Sequence, residues 1–267
     1  MAARGPRRKP AAVASAAPRG RRRALLALGL LALVAFTLAT LPASLAARFL
    51  RDRPVAVESW SGTVWSGIAH GVVSNGVPVG DLRWTLRPLA LFTLRLAAGV
   101  EITRPDGRAT LEVSARNRES VELTDVDLDL PLSALGRSPS FGWNGRVQGR
   151  LDSVTLVAGW PTAVRGALTL RGVTAPAPMS GPLGDFAVTF PDPKPPTAAT
   201  AGVSAHITGG TPLVVDASLT LGAGRSFEIA GIVTGTGIVP PALERALGAL
   251  GPPDAAGRRE FSASGTL

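Results

Sequence analysis

The chain has 267 residues, a formal charge of +9 and no cysteine or tyrosine. Without cysteine it has no disulfide, no zinc–thiolate site and no cysteine nucleophile. The charge does not point to nucleic acid, because Arg4, Arg7, Arg8, Lys9, Arg19, Arg21, Arg22 and Arg23 all precede Ala24, and subtracting these eight from +9 leaves +1 for the body, with no basic stripe interleaved with stacking aromatics.

Residues 1–23 therefore read as a basic cytoplasmic tail. From Ala24 to Ala47 the sequence carries no charge and includes Leu31, Phe36 and Leu41. As a helix this run reaches roughly 36 Å, and the part before Pro42 about 27 Å, against a hydrocarbon core of about 30 Å. Pro42 falls near the distal end, where a kink costs few hydrogen bonds. Eight cations before the run, against Arg48, Arg51 and Arg53 after it, predict an N-in orientation by the positive-inside rule. Residues 24–47 are thus predicted to form a transmembrane signal anchor, and residues 48–267 an exported β-rich domain. The alternative is a cleaved signal peptide, for which Ser44-Leu45-Ala46 supplies a small-x-small site; the long basic and apolar regions favour the anchor.

Past Arg53 the apolar period changes to two. Leu82-Arg83-Trp84-Thr85-Leu86, Val100-Glu101-Ile102, Leu111-Glu112-Val113 and Val126-Asp127-Leu128-Asp129-Leu130 alternate, as do Ala167–Arg171, Ala217–Leu221 and Phe227-Glu228-Ile229. Such alternation sets one face on a core and the other towards water. Asn75-Gly76, Asp106-Gly107, Asn144-Gly145, Gly209-Gly210 and Gly222-Ala223-Gly224 read as turns between the runs. The expected fold is an all-β domain: a curved antiparallel sheet of about 12–14 short strands. Helical signals are limited to one turn at Pro131–Gly136 and a short helix from Pro241 to Leu250, stopped by Gly251. Pro191–Pro196 reads as a stiff, exposed hairpin loop.

Two internal echoes stand out. Pro78-Val79-Gly80-Asp81-Leu82 and its following strand match Pro182-Leu183-Gly184-Asp185-Phe186, and Ser61-Gly62-Thr63-Val64 matches Ser264-Gly265-Thr266-Leu267. Either hairpins are reusing the same turn residues, or the sheet has two similar halves.

Catalytic signals are missing. The two histidines, His70 and His206, lack local carboxylate partners at metal-ligand spacing, and the sequence has no G-x-S-x-G, Walker or H-E-x-x-H motif. Asp81 and Asp185 share one setting, which suits turn formation better than an acid/base pair. The expectation is no enzyme, no cofactor, no metal and no small-molecule substrate. Trp60, Trp65 and Trp84 suit core packing of the first strands or a membrane interface, and Trp143 and Trp160 read as core anchors, Trp160 followed by a turn at Pro161.

The segment ending in Leu41-Pro42-Ala43, the block Gly62-Thr63-Val64-Trp65-Ser66-Gly67, and Gly80-Asp81-Leu82-Arg83-Trp84 with Leu86–Leu91 carry a resemblance. So do Gly159-Trp160-Pro161, Pro182–Phe186, and the ending from Leu247 with Gly251-Pro252-Pro253-Asp254 and Gly257-Arg258-Arg259. With these elements in this order, the chain resembles the type II secretion system protein N family (general secretion pathway protein N). The long Arg/Pro/Ala tail departs from that pattern. The resemblance implies a non-enzymatic, single-pass inner-membrane component of the machinery that moves folded proteins from periplasm to medium, with other secretion components as partners. It places the anchor, residues 24–47, in the bacterial inner membrane and residues 48–267 in the periplasm. The family also looks akin to AsmA-like envelope proteins, whose curved sheets present an apolar groove. That likeness implies an alternative role in lipid binding or transfer.

Overall fold

The computed structural model describes residues 19–45, 47, 54–88, 90, 95–115, 117, 119–134, 142–177, 180–191, 202–222 and 224–266. The predicted loop at Pro191–Pro196 lies, apart from Pro191, outside them. The chain divides into two units, Met1–Leu41 and Pro42–Leu267.

The first unit contains helix α1, Arg19–Ala39. Leu25, Leu26, Leu28, Leu30, Leu31, Leu33, Val34, Phe36 and Leu38 are all exposed. Among the described residues, no helix is long and apolar enough to cross a membrane. The uncharged part of the helix, Ala24–Ala39, spans about 24 Å, against a hydrocarbon core of about 30 Å. Beyond it Pro42 pairs with Thr63 in an isolated antiparallel bridge, and Ala43–Leu45 form a 3-10 turn with Ala43 buried.

The second unit is a single antiparallel sheet. Its strands are β1 (Val55–Ala56), β2 (Ser59–Gly62), β3 (Ser66–Ser74), β4 (Val77–Leu86), β5 (Leu96–Arg104), β6 (Gly107–Ala115) and β7 (Ser120–Pro131). There follow β8 (Asn144–Val157), β9 (Trp160–Ala175), β10 (Gly181–Phe190), β11 (Gly202–Gly209), β12 (Leu213–Gly222), β13 (Ser226–Gly235) and β14 (Arg258–Thr266). From β3 onwards every strand pairs with the next in sequence, while β1 and β2 lie one after the other along the free side of β3. The sheet has 14 strands and is not closed. Between β13 and β14 lies helix α2, Pro241–Ala249, and Leu132–Ala134 form a 3-10 turn after β7.

The strand register sorts the side chains. Trp84 lies opposite Val100, Val100 opposite Leu111, and Leu128 opposite Ala109 and Gly149. Further on Leu168 faces Gly149 and Val188, Val188 faces Ile207, and Leu219 faces Ala205 and Ile229. Directly paired residues share a face, so one apolar face runs unbroken from β2 to β14. The other carries Arg83, Glu101, Thr110, Asp127, Arg150, Thr169, His206, Ser218 and Glu228.

Two contacts show that this sheet is curled. Leu132–Ala134 touch both β8 and β4, which in a flat sheet would be about 19 Å apart. The Trp160 indole Nε1, at the start of β9, donates to the Gly222 carbonyl at the end of β12, 2.9 Å away. Curling lets apolar side chains pack on one another without a second sheet. Val126, Leu151 and Val154 form one buried cluster with Leu111, Leu123, Leu128, Leu156, Val164, Leu168 and Phe190 around it. A second cluster forms where α2 lays Leu243 and Leu247 on Leu213 and Val233.

Two sequence expectations are corrected here. Asn144-Gly145 is not a turn but the irregular start of β8, because the β7–β8 hairpin has a long loop that occupies positions 132–143, ahead of it. The turn beside Trp160 precedes it, at Ala158 and Gly159 with φ of 51° and 75°, and Trp160-Pro161 opens β9.

Candidate functional site

The block Gly62-Thr63-Val64-Trp65-Ser66-Gly67 is the corner that joins β2 to β3. Thr63 N–H donates to the Ser66 carbonyl (2.9 Å), and Ser66 N–H donates to Thr63 Oγ1 (3.2 Å). The side chain of Trp84, on the neighbouring strand β4, closes the corner: its Nε1 donates to the Val64 carbonyl at 2.9 Å. The ring lies so close to Gly67 that a Cβ there would sit 2.5 Å from Trp84 Cζ2. Trp60 meets Trp84 edge to face, centroids 5.9 Å apart and planes at 69°, an arrangement that aromatic quadrupoles favour. Leu86 N–H donates to the Trp65 carbonyl (2.7 Å), tying the same corner to the far end of β4. Gly62, Thr63, Val64, Trp65, Ser66, Gly67 and Trp84 are thus brought together. The half-buried Trp65 contributes a backbone acceptor.

Gly80-Asp81 and Gly184-Asp185 are not brought together, but each builds the same bulge. Along β4, Pro78, Gly80 and Leu82 oppose Val73, Val72 and Ala69 of β3; along β10, Pro182, Gly184 and Phe186 oppose Thr174, Val173 and Leu170 of β9. In both hairpins the partner strand advances by one residue and then by three. The extra residues include Gly71 (φ 60°) and Gly172 (φ 56°), left-handed positions that favour glycine. Each bulge is pinned by a carboxylate: Gly71 N–H donates to Asp81 Oδ1 at 3.0 Å, and Gly172 N–H to Asp185 Oδ1 at 2.8 Å. The first echo is therefore a repeated bulged hairpin within one sheet. The Ser-Gly-Thr copies lie at the end of β2 and in β14, on opposite sides of that sheet.

Sequence reasoning missed the partners of both histidines. His70 Nδ1 lies 3.1 Å from Asp81 Oδ2, and His206 Nε2 lies 2.7 Å from Asp216 Oδ1. The hydrogen bond from Gly71, seconded by His70, lowers the Asp81 pKa below the usual carboxylate range. Arg104 does the same to Asp106, and Arg146 with Gln148 to Asp129. Backbone donation from Arg258 lowers Asp254. These are pairs, and among the described residues no group of three or more His, Asp or Glu can hold a metal ion. The depression of about 370 Å³ bounded by Arg83, Thr85, Glu101, Thr110 and Glu112 is lined largely from the polar face. Of the segment proposed to span the membrane, Ala24, Leu31 and Phe36 belong to α1, while Leu41 and Ala47 follow it.

The geometry thus describes a scaffold: a latched corner, two pinned bulges and one long apolar face. The model of the type II secretion system protein N family matches residues 53–262. The chain belongs to that family. Its match spans the corner, both bulges and part of β14, so it covers almost the whole sheet. No curated protein and no solved structure matches the chain. Family membership makes it a component of type II secretion, a structural part of that system and not a known enzyme, working with other secretion components.

Proposed function

We propose that this protein is a non-enzymatic, single-pass component of the bacterial inner membrane that assists export of folded proteins from periplasm across the outer membrane. The observation that carries the reading is the family match over the sheet. In this reading residues 1–23 stay in the cytoplasm, the segment 24–47 anchors the chain, and residues 48–267 stand in the periplasm against other secretion components. The exposed leucines of α1 support the anchor, and its short uncharged length is met by local bilayer thinning and flanking residues. The test is a clean deletion strain, complemented by the wild-type gene, in which a known exoprotein is partitioned between periplasm and medium. Accumulation in the periplasm with an intact envelope supports the reading; normal secretion overturns it.

One observation favours a second reading, lipid handling. Within the unit Pro42–Leu267, among the described residues, no second sheet lies over the apolar face from Trp84 through Val100, Leu128 and Leu168 to Leu219, and helix α2 clusters with its distal end. An acyl chain has the chemistry for such a trough. Normal secretion combined with entry of a bulky dye through the outer membrane would make this the leading role.

A further inference from the structure

The two edges of the sheet are treated differently. On the N-terminal side, β1 and β2 are short and interrupted, Glu58 N–H in the interruption donates to His70, and the chain itself returns to pair Pro42 with Thr63. Short, broken and covered edges are protected from strand addition. On the C-terminal side, β14 runs from Arg258 to Thr266, pairs continuously with β13, and contains no proline and no bulge. Among the described residues no strand lies on its outer side.

The outward hydrogen-bonding groups of β14 can be assigned. Arg258 turns both its backbone groups away from β13: its N–H donates to Asp254 Oδ1 (2.8 Å) and its carbonyl accepts from Asp254 N–H (2.9 Å). In an antiparallel strand alternate residues point to the same side. Glu260, Ser262, Ser264 and Thr266 therefore also present N–H and C=O outwards. Their side chains are exposed and, after Glu260, short and uncharged.

We propose that β14 is a docking edge for a second copy of this chain, the two β14 strands pairing antiparallel about a two-fold axis at Ser262. That register sets outward residues against outward residues, as hydrogen-bonded pairs must be. Glu260 then faces Ser264 of the second copy, and Ser262 faces Ser262. On the apolar face Phe261 meets Ala263 and Arg259 meets Gly265, so large groups oppose small ones. The register two residues shorter on the axis sets Glu260 against Glu260, a like-charge pair that destabilises a ladder. Because paired residues share a face, the chosen pairing carries the apolar face of one copy into that of the other.

The cysteine-free chain makes the test direct. Full-length protein carrying Ser262→Cys, in native membranes, is treated with a short bismaleimide. Hydrogen-bonded antiparallel neighbours lie about 5.5 Å apart at Cα, so a covalent homodimer is expected. Ser204→Cys, on an exposed face position of β11, is expected to remain monomeric. Ser262→Pro removes an outward N–H and no bond to β13. In detergent its mass should fall to that of one chain while its melting temperature stays at the wild-type value. Absence of the Ser262→Cys dimer, equal cross-linking of Ser204→Cys, or a Ser262→Pro protein that stays dimeric overturns the proposal. Cross-linking of Ser262→Cys to a different protein alone overturns it too, in favour of a heterologous partner strand.

Discussion

Replacing Trp84 by Ala tests the latched corner most directly. The indole does three things: it covers Gly67 where no Cβ fits, it packs edge to face on Trp60, and it donates to the Val64 carbonyl. Truncating a core tryptophan costs about 3–5 kcal/mol. Trp84 is half-buried, so the lower part of that range applies, about 3 kcal/mol. Within it the aromatic pair contributes about 1 kcal/mol and the hydrogen bond about 1 kcal/mol. For a domain of this size each kcal/mol shifts the melting temperature by about 2–4 °C, so a drop of about 6–12 °C is expected. Trp84→Phe separates the contributions, since it keeps a ring over Gly67 and beside Trp60 and loses the donor; its drop should be about a third as large. The assay is thermal unfolding of the full chain in detergent, followed by tryptophan fluorescence and near-ultraviolet circular dichroism. A Trp84→Ala protein that melts within about 1 °C of wild type would refute the claim that this ring holds the corner.

Gly67→Val should also destabilise the corner, because its Cβ enters both the Trp84 ring and the Ser61 carbonyl; overpacking of this kind costs about 1–3 kcal/mol, read as a lower denaturant midpoint. Acid should loosen the sheet. The folded-state pKa values of Asp81, Asp106, Asp129 and Asp254 are depressed, so their stabilisation is present above the unfolded carboxylate pKa and is lost as pH falls through the folded values. The melting temperature should therefore decline below about pH 4, and Asp81→Asn should flatten part of that decline; an unchanged profile in the variant would show that the Gly71 bulge does not depend on the charge. Leu128→Asp, on the apolar face, should abolish photo-cross-linking of a diazirine-labelled phospholipid if lipid occupies the trough, and leave the labelling unchanged if it does not.

The strands were legible because alternation is local. A period of two in Val126–Leu130 or Ala217–Leu221 needs no knowledge of the partner strand, and the short α2 announced itself through Pro241 and Gly251. The bulges were legible only in half. Gly80-Asp81 and Gly184-Asp185 repeated in sequence, but the glycines they pin, Gly71 and Gly172, sit on neighbouring strands, where the shared Gly-Val of His70-Gly71-Val72 and Arg171-Gly172-Val173 is too short to single them out. Pairing register is a property of two strands, so one strand's residues cannot reveal it. The same reason hid the His70–Asp81 and His206–Asp216 pairs. Asn144-Gly145 misled because an Asn-Gly pair favours a two-residue turn only where two strands are ready to meet across it, and here a long connection intervenes. The site residues at the G-T-V-W-S-G corner were identified as a block, yet its dependence on Trp84 rests on a contact across 20 positions of sequence.

The order of the strands has a consequence for how the protein is made. Each strand from β4 onwards finds its partner in the segment just before it, so most of the pairings are of short sequence range. Contacts of that kind favour rapid folding and give an array in which each unit leans mainly on its neighbours. The growing chain can add one hairpin arm at a time, in the direction of synthesis, with no need to wait for its C-terminus.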